Sequence, residues 1–312
     1  MHRAVTVPRL AALFLLLTLL LAACGDSEDE PSPPTPVFRL DGGYPSHQAA
    51  DSNLSVILGT TDLAVGTHRI AFALSDTAGV VRLPTIELRA YPLTSATGVV
   101  PQLATATFSE FPFGFRGVYI TQLNFDQPGE WHLETNVTTP GGGTSSIRFP
   151  VTIAEFTSAP DVGAPAHRSI SRTLDDVASL LDLSSGANPD PALYTTSIDR
   201  ALDDGRPLVI VFASPGFCTN ALCGPEVEVL SELRARYPSQ ATYIHVDIYE
   251  NPQQLRQGDI NLARRTPLLN EWGLNTDEWT FIIDANGRVI HRFESFAPFQ
   301  ELESALLPLI VP

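Results

Sequence analysis

Residues 207–225 read Pro-Leu-Val-Ile-Val-Phe-Ala-Ser-Pro-Gly-Phe-Cys-Thr-Asn-Ala-Leu-Cys-Gly-Pro. Pro207 to Phe212 is a continuous apolar run bounded by turn residues, the composition of a strand buried on both faces. It leads into two cysteines, Cys218 and Cys223, with four residues between them. Val227, Leu230 and Leu233, joined by Val229 and Tyr237, then form the apolar stripe of a helix.

Before this stretch, Tyr194, Ile198 and Leu202 recur at helical spacing and Gly205 stops that helix. After it, Ala241 to Ile248 has the pattern of a strand, ending in Glu250-Asn251-Pro252. A helical turn is expected near Leu268 to Trp272. Strands are expected at Trp279 to Asp284 and Arg288 to Phe293, joined by a tight turn at Asn286-Gly287. A last helix begins near Pro298, with Phe299, Leu302 and Leu306 facing inward. In this order the elements resemble the thioredoxin superfamily over residues 192–312. Cys223-Gly224-Pro225, Val246 to Pro252 and Trp279 to Ile290 are each similar to a segment of that superfamily. The resemblance implies an α/β thioredoxin-like fold with the cysteine pair between a central strand and a helix N-terminus. There the helix dipole favours a thiolate, which is the nucleophile in disulfide exchange.

The four-residue spacing departs from that superfamily's usual two. On an unbroken α-helix, residues five apart have Cα atoms about 8.6 Å apart, whereas a disulfide needs less than about 7 Å. Pro225 also lacks an N–H and would clash inside a helix. Either the helix starts near Gly224, or its first turn opens on oxidation. Cys218, just after the strand and Phe217, is favoured as attacking thiol with Cys223 resolving; the Cys-Gly-Pro match supports the reverse. Thiol–disulfide exchange is the expected activity, with extracytoplasmic thiol or disulfide proteins as partners. The alternative is a non-catalytic binding module with a structural disulfide. Peroxiredoxin-like peroxidase and Sco-like copper delivery fit less well. Position 215 is proline where such peroxidases carry Thr or Ser, Asp277-Glu278-Trp279 offers no arginine, and no histidine precedes the late strand. His245 and His291 read as structural. No cofactor and no metal is expected.

Residues 37–155 alternate instead with the period of half-buried strands. Ile70, Phe72 and Leu74 do so, as do Ile86, Leu88 and Ala90. Tyr119 to Phe125, Trp131 to Val137 and Ile147 to Ile153 continue the pattern. Turn chemistry at Asp76 to Gly79, Gln127 to Gly129 and Pro140 to Gly143 separates the runs. About seven short strands point to an all-β immunoglobulin-like sandwich. Gly117 to Trp131 resembles the last hairpin of bacterial extracytoplasmic sandwich domains, some of them associated with copper handling. Here Met1 is the only methionine, and His47, His68 and His132 read as scattered surface or turn histidines. The sandwich is expected to act as a spacer or partner-binding module, and residues 156–191, rich in Pro, Gly, Ser and Asp, as a linker.

The chain opens with the order of an export signal. His2, Arg3 and Arg9 precede an apolar run from Leu10 to Ala23, 14 residues long, short of the roughly 20 that span a bilayer. Leu21-Ala22-Ala23-Cys24 resembles the lipobox of bacterial lipoproteins, which implies cleavage of residues 1–23, lipid on Cys24 and attachment to the extracytoplasmic face of the cell membrane. Residues 24–36 are acidic and Pro-rich, the composition of an extended tether. If Cys24 carries lipid, Cys218 and Cys223 remain as the only pair among three cysteines. The formal net charge is −16, with no lysine in the chain. Such acidity disfavours nucleic acid and anionic headgroups as partners.

Overall fold

A computed structural model describes residues 43–50, 52–93, 100–112, 116–138, 143–217, 225–258 and 260–310. The export signal, the whole tether of residues 24–36 with Cys24, and both Cys218 and Cys223 lie outside the described residues. Residues Arg39–Pro312 form one compact unit.

Nine strands come first: β1 (Ser46–Gln48), β2 (Ser55–Leu58), β3 (Gly66–Asp76), β4 (Gly79–Val80), β5 (Thr85–Pro92), β6 (Gln102–Glu110), β7 (Gly117–Phe125), β8 (Gly129–Thr138) and β9 (Thr144–Ile153). They hydrogen-bond into a single antiparallel sheet in the order β1-β2-β3-β7-β6-β5-β8-β9, with β4 paired to β3. The sheet curls until its edges approach. His47 stacks on Phe149 with ring centroids 6.3 Å apart. At the other end of the seam Val65 N–H donates to Ala154 C=O (3.0 Å) and Ala154 N–H to Leu63 C=O (2.9 Å). The inward residues of β2, β3, β5, β7, β8 and β9, with Ala106 of β6, fill one interior, including Phe72, Tyr119, Phe125, Trp131 and Phe149. The edge strand β9 carries Pro150, which cannot donate to a further strand.

This corrects the immunoglobulin-like sandwich. A sandwich needs two facing sheets, and here one continuous sheet forms a nearly closed barrel. Alternation and turn spacing are the same in both architectures; the pairings that distinguish them, such as β3 with β7 and β5 with β8, join segments far apart in the chain. His68 also departs from expectation. It is buried, with its ring 6.4 Å from Phe125.

The described residues that follow include four strands, β10 (Leu208–Ala213), β11 (Thr242–Asp247), β12 (Trp279–Ile283) and β13 (Val289–Glu294), and five α-helices, α1 (Ile198–Asp203), α2 (Glu226–Arg236), α3 (Pro252–Leu255), α4 (Leu268–Glu271) and α5 (Phe299–Ile310). The sheet order is β11-β10-β12-β13, with β10 and β11 parallel and the other pairs antiparallel. Every residue of β10 is buried. Leu230 and Leu233 of α2 and Leu302 and Leu306 of α5 pack with Val209 and Val211 on one face. Trp272, Ile198, Leu268 and Phe281 pack with Ile210 and Phe212 on the other.

The thioredoxin-like α/β domain is corrected as well. The described chain is mostly β, and this small sheet lies in the same compact unit as the barrel. Its second face is covered by the six-residue α1, the single-turn helices α3 and α4, and irregular chain. Pro252 and Pro267 sit at the starts of α3 and α4, and Gly258 (φ 110°) and Gly273 (φ 64°) follow them. No long helix can run through that punctuation. Residues 156–191 pack along the sheet: Gly163 N–H donates to Val289 C=O, and the Trp272 indole N–H donates to Ser169 Oγ (2.8 Å).

Barrel and small sheet meet through buried charge. Glu294 accepts hydrogen bonds from the amides of Thr61 (2.7 Å) and Asp62 (2.9 Å) and from the hydroxyls of Thr61 (2.6 Å) and Thr276 (2.8 Å). Arg292 pairs with Asp62 at 2.6 Å and lies over the Trp279 ring. Around these polar contacts Ala73, Phe111 and Val118 from the outside of the barrel pack with Phe293, Phe296 and Leu302.

Candidate functional site

The segment holding Cys218 and Cys223 joins the end of β10 to the start of α2. Both flanks are fixed by buried polar groups, from residues to which the sequence alone assigned no role beside the cysteines.

On the upstream side, Ser214 to Phe217 is tied to residues 184–186 and to the end of β11. Ser185 Oγ and Ser214 Oγ are 3.0 Å apart, and the Gly216 amide donates to Ser185 Oγ (3.0 Å). Gly216 passes so close to this segment that a Cβ would fall 2.4 Å from the Ser185 carbonyl oxygen. Asp247, the last residue of β11, accepts from the amides of Ser185 (2.6 Å) and Tyr249 (3.0 Å). Burial pushes its carboxyl up to about 6, against the pull of those hydrogen bonds. Phe217 meets Tyr249 edge to face, ring centroids 5.9 Å apart.

His245 secures the end of β10 from behind. Its Nε2 lies 3.1 Å from the Ala213 carbonyl oxygen, and its Nδ1 lies 2.5 Å from the Tyr194 hydroxyl. A carbonyl only accepts, so Nε2 carries the proton and Nδ1 accepts from the tyrosine. Burial lowers its pKa to about 4, keeping the ring neutral. This is the structural role expected of it.

On the downstream side, α2 begins at Glu226 with Pro225 before it, and no side chain among the described residues caps that end. The helix therefore starts beyond both cysteines in the sequence, as the chemistry of Pro225 requires. Glu226 is 2% exposed. Burial holds its carboxyl pKa far above the usual carboxylate range, with Glu278 close by and neither of its own oxygens hydrogen-bonded among the described residues. Glu278 directly precedes β12, whose Trp279 pairs with Phe212 of β10. Glu226, Glu278 and Ala213 therefore gather at one end of the small sheet. Tyr44 adds a buried phenol whose pKa is raised by burial and by the nearby Glu278, Glu294, Asp277 and Glu226. Arg265 reaches Asp277 at 2.7 Å, so an arginine comes to this sheet end through space although none stands beside it in sequence.

Next to Pro215 opens a cavity of about 400 Å³ lined by Ser184, Gly186, Asp190, Val227, Glu228 and Ser231 among others. Arg256 holds its rim by donating to the Ser184 carbonyl (3.0 Å).

Comparison with protein-family models and with curated proteins finds no match for this chain. The local resemblances to thioredoxins and to extracytoplasmic sandwich domains thus assign it to no family. Among the described residues no helix is long and apolar enough to cross a membrane.

Proposed function

We propose that this chain is a lipid-anchored extracytoplasmic protein that carries out thiol–disulfide exchange through Cys218 and Cys223, held at the membrane by lipid on Cys24. The observation that carries the reading is the setting of the cysteine segment. It departs from a buried strand end and returns at a helix N-terminus, flanked by Asp247 on one side and the Glu226–Glu278 pair on the other. Burial raises the Asp247 carboxyl to about 6 and that of Glu226 to about 8, so both can exchange protons near neutral pH, as thiol chemistry requires.

The attacking thiol loses its proton and adds to a partner disulfide, expelling one partner thiolate. The second cysteine then attacks the mixed disulfide, releasing the other partner thiolate and leaving Cys218 and Cys223 joined. Two electrons pass to the partner, and the two protons lost by the thiols are taken up by its thiolates. The buried acids can take and return a proton during the exchange. The cavity beside Pro215 gives a partner segment room to approach.

The test is insulin reduction by the full protein with a thiol donor. Wild type is expected to be active, and Cys218→Ser and Cys223→Ser inactive. Cys223→Ser should accumulate mixed disulfides on Cys218. A reduction potential below about −300 mV with no insulin reduction would make the bond structural and sink the proposal.

A further inference from the structure

The large apolar side chains exposed on the barrel are not scattered. Val65, Leu93, Val100, Leu103 and Phe156 are 40%, 61%, 86%, 59% and 78% exposed. Strand register puts all five at one end. Gly66 pairs with Phe125, Gly129 with Ile153, Pro92 with Trp131 and Ala90 with Gln102. Val65 N–H bonds to Ala154, and Leu93 N–H to Glu130. The remaining exposed large apolar residues, Val162, Ile170, Leu174 and Leu262, lie outside the barrel strands and their connections. The opposite end, at the Asp76–Gly79 turn, has none among the described residues.

We infer that this rim inserts into the surface of a zwitterionic lipid bilayer. Leu93, Val100 and Leu103 stand on or beside the β5–β6 connection, and Val65 and Phe156 stand at the β3–β9 seam, so the apolar side chains are spread along the rim. That geometry suits a soft apolar layer a few ångströms deep more than a shaped protein partner. Asp126, Glu130 and Glu155 stand exposed at the same end, so neutral lipid fits and anionic lipid does not. The inference rests on the lipid-anchor reading for its local concentration. Residues 25–42 separate Cys24 from Gly43, and an extended chain of that length spans roughly 60 Å, enough to let either end of the barrel face the bilayer.

The three native tryptophans, Trp131, Trp272 and Trp279, are buried, at 4%, 0% and 0% exposure, so an introduced indole reads its own surroundings. Val100→Trp, Phe156→Trp and, at the opposite end, Thr77→Trp are made in the full lipoprotein and reconstituted on phosphatidylcholine vesicles with brominated acyl chains. At positions 100 and 156 the added indole should shift to the blue and lose most of its emission, while that at 77 stays unquenched. Replacing half of the lipid with phosphatidylglycerol should reduce the effect. Vesicle flotation scores the anchor separately. Floating protein with no quenching at 100 and 156 overturns the inference and leaves the anchor intact. If the protein does not float, the anchor reading fails. The same reporters titrated with excess vesicles then decide the rim, quenching upholding it and its absence overturning it.

Discussion

Arg69, on the outer wall of the barrel, grips Glu301 of α5 through two hydrogen bonds of 2.8 and 2.9 Å. Its guanidinium also donates to the main-chain carbonyls of Glu294 (3.0 Å) and Phe296 (2.7 Å). One side chain thus makes four hydrogen bonds across the barrel–sheet contact. Arg69→Ala removes the pairing and leaves two carbonyls without their donor. Its cost should be roughly 3 kcal/mol, read as a fall in denaturation midpoint. Arg69→Lys should recover only part, because a single ammonium cannot reproduce the fork. A loss below about 0.5 kcal/mol for alanine would mean that the contact is ornamental.

Glu226 sets a pH dependence. Its carboxyl is raised from 4.5 to about 8 by burial. A raised folded-state pKa favours the folded protein below the unfolded value, and that contribution is lost as pH rises through the folded one. Wild-type stability should therefore decline between pH 4.5 and about 8 at this site. Glu226→Gln keeps the shape of the side chain and has no proton to lose. Its stability relative to wild type should grow across that window and level off above it. Thermal melts from pH 5 to pH 9 check this; a difference that stays flat with pH contradicts it.

Ser295 is buried with φ 59°, and its hydroxyl has no hydrogen-bond partner among the described residues. The left-handed backbone costs a non-glycine residue about 1 kcal/mol, and an unsatisfied buried hydroxyl adds to that. Ser295→Gly keeps the amide that donates to Glu278 C=O (2.8 Å). It should raise stability by about 0.5–1 kcal/mol, net of glycine's greater unfolded-state entropy. A lower melting temperature would contradict this account.

Gly273 holds residues 158–159 against α4. It has φ 64°, and a Cβ there would lie 2.2 Å from the Ser158 carbonyl oxygen. Gly273→Ala should cost about 2–4 kcal/mol through clash and strain together. Gly79→Ala makes the comparison: its φ is 121° but nothing lies within 4 Å, so it should cost less.

The strands were legible because a half-buried strand demands alternation. Ile70, Phe72 and Leu74 and their counterparts in β5, β7, β8 and β9 all face the interior they announce. β10 was legible as an apolar run. Closure of the sheet was not, because alternation records which face is buried and nothing about which strand lies alongside. The helix order near the cysteines suggested a familiar α/β domain, yet coverage of the second face depends on how far each helix runs, and Pro252, Gly258, Pro267 and Gly273 cut them short. At the candidate site the cysteines stood out by their spacing. Asp247, Glu226 and Glu278 did not, since a buried carboxyl looks like any other acid until its neighbours are known. Arg265 was hidden for the same reason.

Glu294 binds Thr61 and Asp62 across more than two hundred residues of chain. During synthesis the barrel strands emerge long before their partner at the far end exists. Until β13 arrives, the backbone amides of Thr61 and Asp62 and the guanidinium of Arg69 have only water to satisfy them. That part of the barrel surface is thus completed last, and a chain cut before Val289 should leave the Thr61 and Asp62 amides and the Arg69 guanidinium without these partners. For this protein the C-terminal twenty-odd residues serve as the latch on a structure begun at its opposite terminus.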